Sequence, residues 1–170
     1  MQCDNFWQGR SIRDITNIFC NLNENTCYMT TVKEMISRKP DTVTVASHSS
    51  VFDALKVMAE RNIGSVVVTD EQGNYLGIVT ERDYSRKVVL KGKNSATTPV
   101  EEIMSRDLPS VSPKDSVEHC RQLMTSQNIR YLPVFQGTEL KGIISMSDVV
   151  KETIAMQQET IDHLQQYMNL

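Results

Sequence analysis

Hydrophobic positions between residues 33 and 153 follow helical and strand periodicities in turn, and the alternation occurs twice. In the first half, apolar residues fall three and four apart on one face of a helix that Ser50 caps: Val51, Ala54, Leu55 and Met58. An apolar strand follows at 62–68, and the turn Gln72-Gly73-Asn74 leads into a second strand. A short strand at 43–45 precedes the helix, so the predicted order is β-α-β-β-α.

The same order recurs in the second half, and matching positions keep an almost constant separation. Val51 corresponds to Val117, and Met58 corresponds to Met124. Neither half has enough apolar surface to be stable alone. We therefore predict an α/β fold of two β-α-β-β-α units packed about a pseudo-twofold axis. The predicted segments are a loosely packed leader at 1–28, unit 1 at 29–98, unit 2 at 99–153 and a C-terminal helix at 154–170.

Each unit ends in a motif of Gly, two apolar residues, a hydroxyl residue, two variable residues and Asp. The copies are Gly77-Ile78-Val79-Thr80-Glu81-Arg82-Asp83 and Gly142-Ile143-Ile144-Ser145-Met146-Ser147-Asp148. The hydroxyl and the Asp fall where a strand passes into a helix, and their spacing fits a reciprocal capping box. A helix N-terminus also attracts anions, and a carboxylate there can accept from a ribose. Capping alone and ligand binding are the two interpretations.

The two units and their motifs resemble a tandem pair of cystathionine-β-synthase (CBS) domains, also called a Bateman module. The resemblance covers residues 30–153 and includes the strand Arg130-Tyr131-Leu132-Pro133-Val134. It implies a regulatory sensor, without catalytic residues, that binds an adenine nucleotide between its units: AMP, ADP, ATP, NAD or S-adenosylmethionine. It also implies that such modules pair, so a homodimer and an unidentified regulated protein are the expected partners.

The family's ligand roles transfer onto the matching positions of this sequence. The family's Asp binds the ribose hydroxyls and its Thr or Ser lies beside the ribose and phosphate, which corresponds here to Asp83, Thr80, Asp148 and Ser145. The family's adenine lies against the entry strand and the central strand of a unit. The corresponding residues are Thr42, Val43, Ser65 and Val66 in one unit, and Ser110, Val111, Tyr131 and Pro133 in the other.

Arginines near the motifs indicate where a phosphate would lie. Arg82 and Arg86 flank Asp83 at a helix start, where the dipole disfavours cations, so either a phosphate or a solvated helix face explains them. Arg130 takes the position that Gly64 holds in unit 1, and we place it at a cleft rim. We expect the cleft at Asp148 to bind at least as well as the other, with Arg130 at its rim and Arg82 or Arg86 reaching the phosphate.

Composition narrows the class of protein. The chain has 170 residues and a formal net charge of -3, which gives no broad basic footprint, so nucleic acid is not the favoured partner. No apolar run reaches membrane-spanning length. The four cysteines show no metal-binding spacing and are typical of reduced thiols, which favours the cytoplasm. Arg10 and Arg13 hint at a mitochondrial targeting helix within residues 1–28, but Asp4 and Asp14 argue against it, so this location is the less favoured alternative.

Three classes of function are compatible with these features. The favoured class is a stand-alone sensor that binds an adenine nucleotide and acts on a partner protein. The second is an interaction and dimerisation scaffold whose clefts are empty and whose Asp residues only cap helices. The third is an enzyme fragment related to inosine-monophosphate dehydrogenase, which is disfavoured because the chain has no room for a catalytic barrel of ~250 residues.

The residues after Asp148 continue beyond the last helix that the motif requires. Apolar side chains recur there at heptad-like spacings: Val150, Ile154, Ile161, Leu164 and Met168. This pattern predicts a helix that pairs with a second copy of the chain. The alternative is that the helix folds back on its own unit.

Overall fold

The architecture comes from a computed structural model that describes residues 30–168, so the predictions for the leader lie outside the described residues. Unit 1 contains α1 (Val32–Ser37), β1 (Thr44–Ala46), α2 (Val51–Arg61), β2 (Ser65–Thr69), β3 (Tyr75–Thr80) and α3 (Glu81–Lys87). Two 3-10 helices follow, Val89–Lys91 and Val100–Glu102. Unit 2 contains α4 (Val117–Ser126), β4 (Tyr131–Gln136), β5 (Glu139–Ser145) and α5 (Met146–Met168).

The sheet of unit 1 has the order β1-β2-β3, with β1 parallel to β2 and β2 antiparallel to β3. The predicted cap and apolar face of α2 are confirmed. The Ser50 hydroxyl accepts a hydrogen bond from the Asp53 N–H at 3.0 Å. One core joins the buried face of α2 to alternate residues of the sheet: Val51, Ala54, Met58, Val66, Val68 and Val79.

Unit 2 repeats this arrangement around the antiparallel pair β4-β5. The short strand that the repeat predicts ahead of α4, the counterpart of 43–45, is reduced to a single parallel bridge between Val111 and Val134. The apolar face of α4 is buried as predicted, together with residues of both strands: Val117, Cys120, Met124, Leu132, Val134 and Ile144. Burial raises the pKa of the Cys120 thiol to about 11, as expected for a core thiol.

The opening segment of each unit packs into the core of the other unit. Val32 and Met35, on α1, belong to the core that contains α4, β4 and β5. Their segment is tied there by the backbone, since the Val32 N–H donates to the Asp115 carbonyl at 2.9 Å. In return, Val100 joins the core of unit 1, and its N–H donates to the Ser49 carbonyl at 2.9 Å. Each core is therefore completed by residues from both repeats, which makes the two units one folding body.

The C-terminal helix α5 is continuous from Met146 to Met168, and its first turns pack on α4 and β5. At 23 residues it spans about 35 Å. The predicted seam is exposed, with values between 46% and 79%, at Val150, Ile154, Ile161, Leu164 and Met168. The alternative that the helix folds back on its own unit is therefore wrong. None of the helices in the described part of the chain is both long and apolar enough to cross a membrane.

Candidate ligand-binding clefts

Both strand-to-helix junctions form the predicted capping interactions. The Thr80 N–H donates to Asp83 Oδ2 at 3.1 Å, and the Asp83 N–H donates to Thr80 Oγ1 at 3.1 Å. The second junction matches it, with the Ser145 N–H donating to Asp148 Oδ2 at 2.8 Å and the Asp148 N–H donating to Ser145 Oγ at 3.2 Å. Each hydroxyl also donates to the same Oδ2 atom at 2.6 Å. A ligand can therefore contact only those atoms of the two Asp residues that the capping hydrogen bonds do not already use.

The larger of the two described clefts lies at Asp148 and has a volume of about 620 Å³. Residues of both units form its walls, because the loop after α1 of unit 1 faces the end of β5 in unit 2. We call this the Asp148 cleft; its lining comprises Ile36, Lys39, Pro40, Asp41, Thr42, Val43, Arg61, Asn62, Ile63, Gly64, Ser65, Tyr131, Lys141, Gly142, Ile143, Ser145, Ser147 and Asp148.

Lys39 reaches across this cleft to the motif of the other unit. Its ammonium donates to Asp148 Oδ2 at 2.6 Å and to the Ile143 carbonyl at 2.8 Å. Burial raises the pKa of Asp148, but hydrogen bonds from Lys39 and Ser145 outweigh burial and leave this pKa below its usual value. All of these donors converge on Oδ2, and no donor among residues 30–168 contacts Oδ1. Asp148 lines the cleft and is thus an ionised carboxylate with one oxygen that accepts no hydrogen bond from the described residues.

The second cleft lies at Asp83 and has a volume of about 270 Å³. We call it the Asp83 cleft; its lining comprises Gly64, Ile78, Thr80, Glu81, Arg82, Asp83, Arg86, Lys87, Ser105, Leu108, Asn128, Ile129, Arg130 and Tyr131. Here the carboxylate is fully engaged, because Asp83 Oδ1 accepts from Lys87 Nζ at 2.7 Å and from Ser105 Oγ at 3.4 Å. The two Asp residues that the repeat makes equivalent therefore differ in what they offer a ligand.

Tyr131 and Gly64 line both clefts. A Cβ atom at position 64 would lie 2.6 Å from Tyr131 Oη. A side chain at this position would therefore displace the Tyr131 phenol from its place beside both clefts. Burial raises the pKa of Tyr131, and the hydroxyl is protonated at neutral pH. Tyr131, which we expected at an adenine site, therefore lines both clefts.

The other residues expected at adenine divide into two sets. Thr42, Val43 and Ser65 line the Asp148 cleft together with Tyr131. The remaining four line neither described cleft, which corrects the expectation for them: Val66, Ser110, Val111 and Pro133. Side chains alternate along a strand, so Ser65 faces the cleft while Val66 faces the core. Val111 and Pro133 are buried, and Ser110 is exposed outside the clefts.

The arginines also lie elsewhere than expected. Arg82, Arg86 and Arg130 line the Asp83 cleft, and none of them lines the Asp148 cleft, so the expected placement of Arg130 at the rim of the latter is wrong. The backbone explains the difference: the Met146 N–H donates to the Arg130 carbonyl at 2.8 Å, and Arg82 Nη1 donates to the Asn128 carbonyl at 3.2 Å. The first contact ties Arg130 to the start of α5, and the second holds the segment before β4 beside α3.

The cations of the Asp148 cleft are residues that the sequence analysis missed: Lys39, Arg61 and Lys141. The repeat offered no signal for Lys39, because the corresponding position of unit 2 is Asp107. Arg61 closes α2, and Lys141 stands in β5. Within residues 30–168, no group of three or more His, Cys, Asp or Glu side chains is arranged to hold a metal ion.

Comparison with known proteins agrees with the duplicated fold and the paired motifs. The model of the CBS domain family matches residues 32–89 and again residues 100–154. The chain belongs to the CBS-domain family and carries a tandem pair of these domains. Pairs of this kind are often regulatory or signalling modules, and the assignment indicates no catalytic family.

Individual relatives share most of the described chain. The mitochondrial CBS domain-containing protein CBSX3 of Arabidopsis thaliana is 31% identical, over 89% of this chain and 82% of its own. The CBS domain-containing protein YhcV of Bacillus subtilis is 33% identical, over 71% of this chain and 84% of its own. A solved CBS-domain structure from Burkholderia ambifaria is 45% identical with a TM-score of 0.71, covering 74% of this chain and 95% of that chain.

Proposed function

We propose that the protein is a regulatory module that binds an adenine nucleotide in the Asp148 cleft. The observation that carries this proposal is the open Oδ1 atom of Asp148, an ionised oxygen without a protein donor among the described residues, in a cleft between the units. A ribose hydroxyl is a donor that suits such an oxygen. The cleft volume of about 620 Å³ is in the usual range for small-molecule sites.

The remaining lining residues supply complementary roles. Val43 and Ile63 offer apolar surface for a base, and Thr42 and Ser65 offer hydroxyls that can hydrogen-bond its edge. Arg61 supplies positive charge for phosphates, whereas Lys39 pairs with Asp148 and Lys141 pairs with Glu139. The cleft therefore combines a diol acceptor, an apolar wall and cations, which together suit a nucleotide better than a sugar or a free phosphate.

Regulation follows from the position of the cleft between the units. Lys39 follows α1, and α1 packs in the core of unit 2. Asp148 lies in the first turn of α5. A ligand that favours one arrangement of these elements shifts the balance between two states by its difference in affinity, and no chemical step is needed. The helix α5 leads directly away from the site and could transmit this change to a partner protein.

Calorimetric titration of the full chain tests the proposal with AMP, ADP, ATP, NAD and S-adenosylmethionine, after removal of any co-purified nucleotide. We expect saturable binding of at least one of them. A scaffold with empty clefts predicts no binding of any, and that result would refute the proposed function. Turnover of a bound nucleotide would instead support an enzyme.

The cellular location stays a prediction. We favour the cytoplasm, and mitochondrial targeting by residues 1–28 is the alternative, since the Arabidopsis relative is mitochondrial.

We also propose that α5 mediates a homodimer. Its last three turns project from the fold with the apolar seam exposed, and an isolated helix of this length is marginal in water without a partner. The seam has the spacing of a coiled-coil contact. A solved relative, the CBS-CP12 protein of bloom-forming cyanobacteria, is hexameric; it is 36% identical with a TM-score of 0.62 and covers 71% of this chain and 69% of its own.

Replacing Ile161 and Leu164 together by Gln is expected to shift the protein from dimer to monomer at micromolar concentration. The change removes apolar contacts at the centre of the seam and keeps helix propensity. Multi-angle light scattering measures the mass, and Glu159→Gln, on the same exposed stretch, is the control. If both the double variant and a chain ending at Thr153 remain dimeric, the seam plays no part in assembly.

A further inference from the structure

The carboxylate at the centre of the Asp148 cleft pairs with a cation from the other unit. At the equivalent junction, Asp83 Oδ1 pairs at 2.7 Å with Lys87, which lies one turn further along the same helix. The matching position in α5 is Glu152, so that helix supplies no cation there. Lys39 of unit 1 instead contacts Asp148 Oδ2 at 2.6 Å. The two junctions therefore share an ion pair but differ in the source of the cation.

Lys39 is held in place for this contact by its backbone and by its ammonium. Its N–H donates to the Ile36 carbonyl at 3.1 Å, directly after α1. That helix is anchored in the core of unit 2 by Val32 and Met35. The ammonium also donates to the Ile143 carbonyl, at 2.8 Å. It is therefore a fixed point charge that meets one oxygen of the carboxylate and leaves the other oxygen unused.

We infer that Lys39 is a positioning residue of the proposed nucleotide site, which holds Asp148 Oδ2 so that Oδ1 remains an ionised acceptor for a ribose hydroxyl. An opposite charge at this distance favours the carboxylate over the carboxylic acid. Because Lys39 belongs to unit 1 and Asp148 to unit 2, ligand affinity depends on how the two units are docked. The inference rests on the proposed function and adds the residue that prepares its acceptor.

The pH dependence of binding separates this role from a purely structural one. A ribose hydroxyl needs the ionised form of Asp148, so affinity is present above the pKa of this carboxyl and is lost as the pH falls through it. Burial raises that pKa, and hydrogen bonds from Lys39 and Ser145 outweigh burial. Without Lys39, burial is opposed by Ser145 alone, so the pKa rises and affinity is lost at a higher pH.

The other charged and titratable groups around the carboxylate stay the same when only Lys39 is replaced. Within residues 30–168, no histidine lines the cleft. The lining groups are Asp41, Arg61, Tyr131 and Lys141, and the pair Arg38–Glu152 lies beside them on α5. A difference in pH profile between wild type and a Lys39 variant therefore reports on Asp148.

Calorimetric titration of the full chain between about pH 5 and pH 8 tests the inference, with adenosine as the ligand and AMP where adenosine binds too weakly to measure. Adenosine has no phosphate that the removed ammonium could contact directly. For Lys39→Met we expect affinity at neutral pH to fall about 2- to 10-fold, because one hydrogen bond that holds the acceptor is lost. The further fall on acidification should begin at a higher pH than in wild type.

Arg38→Met is the matched control. Arg38 Nη1 lies 3.3 Å from Glu152 Oε2 in the neighbouring salt bridge between the units, and neither residue lines a described cleft. This variant removes a contact between the units without touching Asp148, so its affinity and pH profile should match wild type. Thermal unfolding at each pH checks that the variants fold, and Lys39→Gln is the second variant if Lys39→Met folds poorly.

The outcomes distinguish this inference from the proposed function. If wild type binds and the Lys39 variants show the same affinity and pH profile, or bind more tightly, the inference is overturned and the proposed function stands. Equal losses in Arg38→Met would also overturn it, since they would assign the effect to unit docking in general. Failure of wild type to bind any adenine nucleotide or adenosine would refute the proposed function and the inference together.

Discussion

Replacing Asp148 by Asn is expected to weaken adenosine and AMP binding about 10- to 100-fold, because a ribose hydroxyl loses its charged acceptor. The helix should survive, since an amide oxygen can still accept from the Ser145 N–H. Adenosine is included because the variant releases Lys39 from Asp148, and a freed ammonium could compensate by contacting a phosphate. Calorimetric titration measures both ligands on the full chain.

Asp83→Asn is the matched control for this prediction. It makes the same chemical change at the equivalent position of the repeat, but both oxygens of Asp83 are engaged within the protein. We therefore expect adenosine affinity to remain within about two-fold of wild type, well under the ten-fold change that ~1.4 kcal/mol produces. Equal losses in the two variants, or no loss in Asp148→Asn, would contradict the assignment of the ribose to the open Oδ1 atom.

Gly77→Ala is expected to destabilise the fold by about 1–3 kcal/mol, the usual cost of overpacking a core. A Cβ atom there would lie 2.7 Å from the Ser105 carbonyl oxygen and 3.2 Å from Met104 Sδ. The carbonyl cannot move away easily, because Ile78 and Ser105 exchange two backbone hydrogen bonds of 3.0 and 2.9 Å. The midpoint of urea denaturation, followed by circular dichroism, measures the change in the free energy of unfolding.

The control is Gly142→Ala, at the same position of the second motif. A Cβ atom there would meet Ile36 Cγ2 at 3.5 Å, an ordinary contact distance. Neither glycine has a positive φ, so alanine fits the backbone and should leave stability unchanged or raise it by about 0.4–1 kcal/mol. If both substitutions cost the same, the close approach of the Ser105 backbone is not the reason for a glycine at position 77.

Much of the local structure could be predicted from the sequence. The cap at Ser50, the buried face of α2 and the two capping boxes all depend on residues within eight positions of each other. Periodicity and cap chemistry act over that range, so a single repeat unit contains the information. The duplication then extended these predictions to the second unit, and the fold class followed from the repeat.

Function-bearing differences between the two motifs could not be predicted in this way, because the repeat makes Asp83 and Asp148 look alike. Their partners differ in sequence distance: Lys87 lies one helical turn from Asp83, whereas Lys39 reaches Asp148 from the other unit. Likewise Arg130 was expected beside Asp148 and lies beside Asp83. Local pattern carries no information on which unit's side chains enter which cleft.

The sequence by itself determined the repeated order of helices and strands, the capped junctions and the family, since these depend on neighbouring residues. Only the tertiary structure decided that α1 completes the core of unit 2 and that Val100 completes the core of unit 1. This exchange brings Lys39 to Asp148 and places the arginines around Asp83. It arises because each unit alone leaves apolar surface uncovered, and burying that surface fixes how the two units meet.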